Sequence, residues 1–297
     1  MTDNRLLLCR PQGGFNDLLC QIELCCRYAE RFGRTVIVDT DSHHSRYFKD
    51  AFSRYFVSEQ KLLILDLKGI PHRIGSLTAF PDFVSGRLDI YRMRYDQDLR
   101  KFVEETTGRP ISFDFNKDYS EPLLVHDAAG GGTVSLAALY RVRVQEAVSE
   151  AFWARQRLMG SDYTALHIRN TDYKTAYEGW IEQNKGRIHG SVFVATDNRD
   201  TLAHCRSAFG AERVFSFAEL PPEAGHPAHH LGGTIDAYRR NCDAIVDLFL
   251  LAYSKQLYVF KVMPNEFGVN YSGFSMLAVN LRKSGPLLRR LTSIPGK

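Results

Sequence analysis

No apolar run in this 297-residue sequence approaches the ~18 residues that a membrane-spanning helix requires. The longest, residues 244–253, is interrupted by Asp247. The apolar stretch at residues 6–9 is too short for a signal peptide, and polar residues surround it. These absences predict a cytoplasmic protein, for which a peripheral membrane contact stays open. Cysteine is sparse, with 6 residues and no Cys-x-x-Cys pair, which excludes a zinc ribbon and a small disulfide framework. Buried reduced thiols are the expected state. Charge of one sign is not in excess: 38 Lys and Arg against 34 Asp and Glu leave a net charge of +4. That falls short of the one-sided charge of a dedicated nucleic-acid binder, and no nucleic-acid partner is expected. Collagen-like periodicity, heptads, internal repeats and low-complexity segments are also missing.

What is present is an ordinary globular composition, 44% hydrophobic and 24% charged. The length suits two medium domains, divided here as 1–150 and 151–297. In the first, an apolar strand at residues 5–9 runs into Gly13-Gly14. A helix follows, with Asn16 or Asp17 as its cap, an apolar face through Leu18, Leu19, Ile22 and Cys25, and Gly33 as its stop. Residues 35–39 form a β-branched strand. Strand, glycine turn, helix and strand make a βαβ unit and imply a parallel sheet. Residues 62–65 and 123–126 read as further strands, and residues 136–152 as a helix. In the second half, strands at 163–167, 191–195, 213–215 and 257–260 alternate with helices, one through Cys205 and one at 234–254. A final helix opens at Ser272-Gly273. The fold class is α/β, with two Rossmann-like domains facing a cleft.

Open α/β sheets bind ligands beyond the carboxyl ends of their strands. The segments that follow the strands are therefore the candidate sites. Gly13, Gly14 and Asn16 follow the first strand. Glycine lets a backbone approach a phosphate at a helix N-terminus, or simply makes a tight turn. His167 and Arg169 lie two apart at the end of the strand at 163–167 and so share a face. The Arg169 fork suits phosphate oxygens, or pairs with Asp172 at an ordinary strand end. Asp197 follows the next strand, where it accepts hydrogen bonds from a nucleoside, or it and Asn198 serve as a helix cap. Ser275 stands at the start of the last helix, with the same two readings. Asp39 and Asp41 admit a metal-dependent transferase or a phosphatase. His226, His229 and His230 admit a metal, but no fourth ligand completes a set. Gly130, Gly131 and Gly132 lack the Lys-Ser/Thr of a phosphate loop. The aromatic stretch from Tyr47 to Tyr95 is either an acceptor-side surface or plain core.

Taken in order, Gly-Gly-Phe-Asn at residue 13, His-x-Arg-x-Thr-Asp at 167, Ala-Thr-Asp-Asn at 195, Asp-Leu-Phe-Leu-Leu-Ala at 247 and Ser-Gly-Phe-Ser at 272 resemble the inverting fucosyltransferases that use GDP-fucose. That superfamily includes the α1,6-, α1,2- and protein O-fucosyltransferases. Residues 26–39 are most similar to the bacterial nodulation-factor α1,6-fucosyltransferases. The resemblance spans residues 5–40 and 160–280. It implies a GT-B fold, an N-terminal acceptor-side domain and a C-terminal donor domain. It also implies fucose transfer to a glycan or glycolipid hydroxyl, with no cofactor and no metal. His167 and Asp197 would hold guanine, Arg169 the β-phosphate, and Ser275 a phosphate oxygen. Gly13, Gly14 and Asn16 would reach the pyrophosphate or sugar. Many relatives carry a second arginine where this chain has Asn170, and Met276 stands where some place an Arg. Tyr173 reads as an insertion, which brings Lys174 and Glu178 into the positions of a lysine and a candidate base. The implied partners are a GDP-sugar and an oligosaccharide, lipid-linked glycan or polysaccharide acceptor. A related transferase for another GDP-sugar, or a non-catalytic nucleotide-sugar or glycan-binding module, are the alternatives.

Overall fold

The computed structural model describes residues 5–68, 70, 74–220, 236–265 and 268–294. The chain divides into two units, Met1–Arg143 and Val144–Lys297.

The first unit runs β1 (Leu6–Gln12), α1 (Phe15–Phe32), β2 (Thr35–Val38), β3 (Phe56–Ser58), β4 (Leu63–Ile64), β5 (Ala79–Phe80), β6 (Met93–Asp96), β7 (Lys101–Glu104), β8 (Leu123–Ala129), α2 (Ser135–Leu139) and β9 (Val142–Val144). Its main sheet has the order β4-β2-β1-β8-β5, with every pair parallel. β1 is central and apolar throughout its first half, as a strand covered on both faces must be. α1 buries Leu18, Leu19, Ile22, Cys25 and Tyr28, which recur at helical spacing. Gly33 ends it in the left-handed region, at φ 66°, where glycine carries no steric penalty. The N-cap is Gly14, without a side-chain cap bond, and not Asn16 or Asp17 as expected. The Asn16 side chain is drawn instead to Ser135, whose hydroxyl donates to Oδ1 at 2.7 Å.

The second unit runs α3 (Glu146–Met159), β10 (Thr164–Ile168), α4 (Tyr177–Asn184), β11 (Val192–Thr196), α5 (Arg199–Phe209), β12 (Val214–Phe215), α6 (Ala237–Tyr253), β13 (Gln256–Val259), α7 (Gly273–Lys283) and α8 (Gly285–Thr292). Its sheet has the order β12-β11-β10-β13, again parallel throughout. Phe193, Leu166, Val194 and Ile245 fill the interior.

Two expected helices are subdivided. The helix expected at 136–152 is α2, β9 and α3. Val142 and Val144 are buried on either side of exposed Arg143, a period of two that pairs β9 with β3. The last helix breaks at Ser284 into α7 and α8, because Pro286 at the start of α8 cannot donate backward. Aromatic residues of the 47–95 stretch are mostly core: Phe48, Phe52, Tyr55, Phe56 and Tyr91 are buried, while Tyr95 is exposed. All six cysteines are buried free thiols.

Candidate functional site

In the second sheet the chain moves from β10 outward to β11 and β12, then returns to place β13 on the other side of β10. The carboxyl end of β10 is therefore the topological switch point, where diverging connections leave room for a ligand. His167 is the penultimate residue of this strand and is buried. Its Nδ1 lies 2.6 Å from the Ser275 hydroxyl in the first turn of α7. Ser272 caps that helix by accepting from the Ser275 N–H at 3.1 Å. The Phe274 ring stands 5.2 Å from the imidazole. Burial, with the Arg169 charge beside it, pushes His167 down to about 3, so the ring is neutral at physiological pH. Nε2 of His167 bonds no protein group among the described residues.

Arg169 emerges just past β10. Its Nε and Nη2 grip both oxygens of Asp172, at 2.7 and 2.9 Å. Its Nη1 lies 3.0 Å from Asp197 Oδ2. Burial works against the guanidinium charge, but Asp197 and Asp172 outweigh it and hold the group above its ordinary value. Asp197 is the anchor of this turn. It accepts from the Asn170 N–H at 2.9 Å and the Thr171 hydroxyl at 2.5 Å, and it is the ion-pair partner of Arg169 Nη1. A nucleobase reaches this carboxylate only in competition with those donors. Asn198 supplies the cap of α5, accepting from the Thr201 N–H at 2.9 Å.

The turn continues into α4 through Lys174, whose Nζ donates to the Asn170 carbonyl at 3.1 Å. Its own carbonyl accepts from Met263 at 2.7 Å, tying the turn to the segment after β13. Glu178 sits exposed in the first turn of α4. Asn170 donates its side-chain amide to Thr201 at 2.9 Å.

The first unit has its own switch point, between β1 and β8. Gly13 adopts φ 101°, and an added Cβ would stand 3.0 Å from that of Asp17. A Cβ on Gly131 would lie 2.5 Å from Asp17 Oδ1. The glycine turns after β1 and β8 thus both fold against the start of α1. The second turn lacked any phosphate-loop pattern, and only its place after a strand marked it in the sequence.

Beneath lies a buried polar chain that sequence reasoning missed. Arg10 donates to Asp39 at 2.6 Å and to the Tyr91 hydroxyl at 2.7 Å. Tyr91 in turn donates to Asp127 at 2.7 Å. This corrects the phosphatase and metal readings of Asp39 and Asp41, because the Asp39 carboxylate is committed to Arg10. His226, His229 and His230 lie outside the described residues. Among the described residues no group of three or more His, Cys, Asp or Glu gathers as a metal site.

No family model and no curated protein matches this sequence. Solved structures do. The fucosyltransferase NodZ from Bradyrhizobium superposes with a TM-score of 0.60 at 20% identity, over 94% of this chain and 93% of that one. NodZ α-1,6-fucosyltransferase soaked with GDP-fucose gives 0.58 at 17% identity, over 94% and 92%. POFUT1 in complex with GDP-fucose gives 0.54 at 14% identity, over 95% of each chain. This chain has a fucosyltransferase fold. The GT-B expectation is met by two parallel-sheet α/β units matching those structures along nearly their whole length.

Proposed function

We propose that this protein is a GDP-fucose-dependent glycosyltransferase, acting with inversion and without a metal on a glycan or glycolipid hydroxyl. The observation that carries the reading is the charged, half-buried Arg169 at the switch point of the second sheet. Beside it stands the neutral His167, braced by Ser275 at the start of α7. The structures that share this fold include a NodZ α-1,6-fucosyltransferase soaked with GDP-fucose and POFUT1 in complex with GDP-fucose.

In this reading the second unit is the donor domain and the first the acceptor-side domain. Guanine meets the free Nε2 of His167 and competes for Asp197. The β-phosphate takes the Arg169 fork from Asp172, the more exposed of its two carboxylate partners. Ser275 and the N-terminal turn of α7 receive a further phosphate oxygen. Gly13, Gly14 and Asn16, in the turn after β1, are the first unit's candidate ligand-binding residues. The acceptor oxygen attacks the anomeric carbon from the face opposite the nucleotide, and the carbon–phosphate-oxygen bond breaks. The electron pair leaves with GDP. A fixed guanidinium stabilises that developing charge in the transition state, the part a divalent metal plays elsewhere. Glu178 takes the acceptor proton.

Asn170 favours a second reading. Its side chain is spent on Thr201, which leaves the turn with one arginine where many relatives have two. A non-catalytic GDP-sugar-binding module would keep nucleotide affinity and show neither donor hydrolysis nor transfer. The test is incubation with GDP-fucose and a panel of oligosaccharide acceptors in EDTA, with GDP release measured. Release that Arg169→Ala abolishes supports the enzyme. Tight GDP binding without any release supports the module, and preference for another GDP-sugar reassigns the donor.

A further inference from the structure

Because all four strands of the second sheet are parallel, the segments that enter them line one edge, the end of the strands away from Arg169. Hydrogen bonds knit this amino edge together. Arg213, entering β12, donates to the carbonyls of Gly190 and Ile188 before β11, at 2.9 and 2.7 Å. The Lys255 N–H donates to the Tyr163 carbonyl at 3.0 Å. Arg282 reaches the Lys255 carbonyl at 2.6 Å, which brings the end of α7 to the same edge.

The charge here is one-sided. Arg157, Arg206 and Lys283 each sit in the last turn of a helix that ends at this edge, and Arg187 lies in a single 3-10 turn, Lys185–Arg187, that follows α4. All four are exposed and have no ion-pair partner among the described residues. Arg157, Arg206 and Lys283 are each explained alone by the negative end of a helix. Together they form a field that the local carboxylates do not balance. Asp162 is taken by Lys255 and Glu182 by Lys185, both at 2.8 Å, which leaves Glu212. Next to Arg157 stands Leu158, 66% exposed.

We infer that this edge docks the protein onto an anionic lipid bilayer. Anionic headgroups attract each lysine or arginine held near the surface. An exposed leucine offers nothing to a phosphate polymer, but at a bilayer it enters the boundary between headgroups and chains. Docking by this edge engages the end of the second sheet opposite Arg169. The inference stands whether or not the donor reading does.

The test is cosedimentation of the full chain with vesicles of phosphatidylglycerol mixed into phosphatidylcholine, and with phosphatidylcholine alone. The mixed vesicles should bind the protein and the neutral ones should not. Binding should vanish in ~1 M salt, where screening acts over about 3 Å. The Arg187→Glu/Lys283→Glu double variant should lower partitioning by about tenfold or more, with the thermal melt unchanged. Arg157→Glu/Arg206→Glu should do the same if the first pair fails to fold. Leu158→Ala should give a smaller loss. Binding to neither vesicle, or equally to both, overturns the inference. So does retention on a single-stranded RNA column without vesicle binding.

Discussion

Arg169 spends all three of its nitrogens on carboxylates, and this decides how its loss is read. Arg169→Ala removes a fork, a charge and the partner of two acids. It should reduce turnover by about 10²–10³-fold, with GDP no longer raising the melting temperature. Arg169→Lys should not restore the bidentate grip, because an ammonium is a point charge. Steady-state rates and melts on the two variants separate charge from geometry. Asp247 poses a different question. It lies buried on α6 with Oδ1 unpartnered and Arg155 Nη1 4.0 Å away. Burial, only partly offset by Arg155, pushes its carboxyl up to about 8. The folded chain therefore keeps a proton that the unfolded chain has shed. Its contribution to stability is full below pH ~4, is lost as pH rises to about 8, and then levels off. Asp247→Asn should be nearly neutral at pH ~5 and should raise the melting temperature at pH ~8. A melt series across that range checks it.

At the scale of the element, what the sequence revealed depended on whether local pattern or tertiary partner chose the structure. The strand, glycine turn and helix at the start were legible, because β-branched runs, amphipathic spacing and Gly33 are local signals. The carboxyl ends of β10 and β11 were legible for the same reason, and with them His167, Arg169 and Asp197. The fate of each side chain was not. Asn16 looked like a cap until Ser135, far along the chain, claimed it. Asp197 looked like a nucleoside acceptor, whereas in the fold it first secures the Arg169 turn. β9 was hidden inside an apparent helix, since its two valines pair with a strand some eighty residues earlier. Two substitutions test the elements that frame the sites. Ser272→Ala removes the cap of α7 and should cost about 1 kcal/mol of stability in denaturant melts. It should also weaken GDP binding, since it loosens Ser275. Gly13→Ala places a side chain at φ 101° against Asp17 and should destabilise by about 1–2 kcal/mol.

Across the whole molecule, buried titratable groups set the response to acid. Burial pushes His44 to about 3, His126 to about 4 and His167 to about 3. Each is neutral when folded and takes a proton when unfolded, so each withdraws stability as pH falls below ~6.5. Asp127, raised by burial to about 6, and Asp247 act in the opposite sense over the same range. Three histidines outweigh two carboxyls, so stability should decline from pH ~6 to ~4, and more steeply in Asp247→Asn. The most direct measurement is thermal stability in EDTA with GDP, GDP-fucose, GDP-mannose or UDP added in parallel. At 100 times its dissociation constant a ligand adds about 2.7 kcal/mol, a rise of about 5 °C for a chain of this size. That rise is expected with GDP and GDP-fucose, is absent with UDP, and is lost in Arg169→Ala. If no guanine nucleotide moves the melt without a metal, the donor site is not where Arg169 stands.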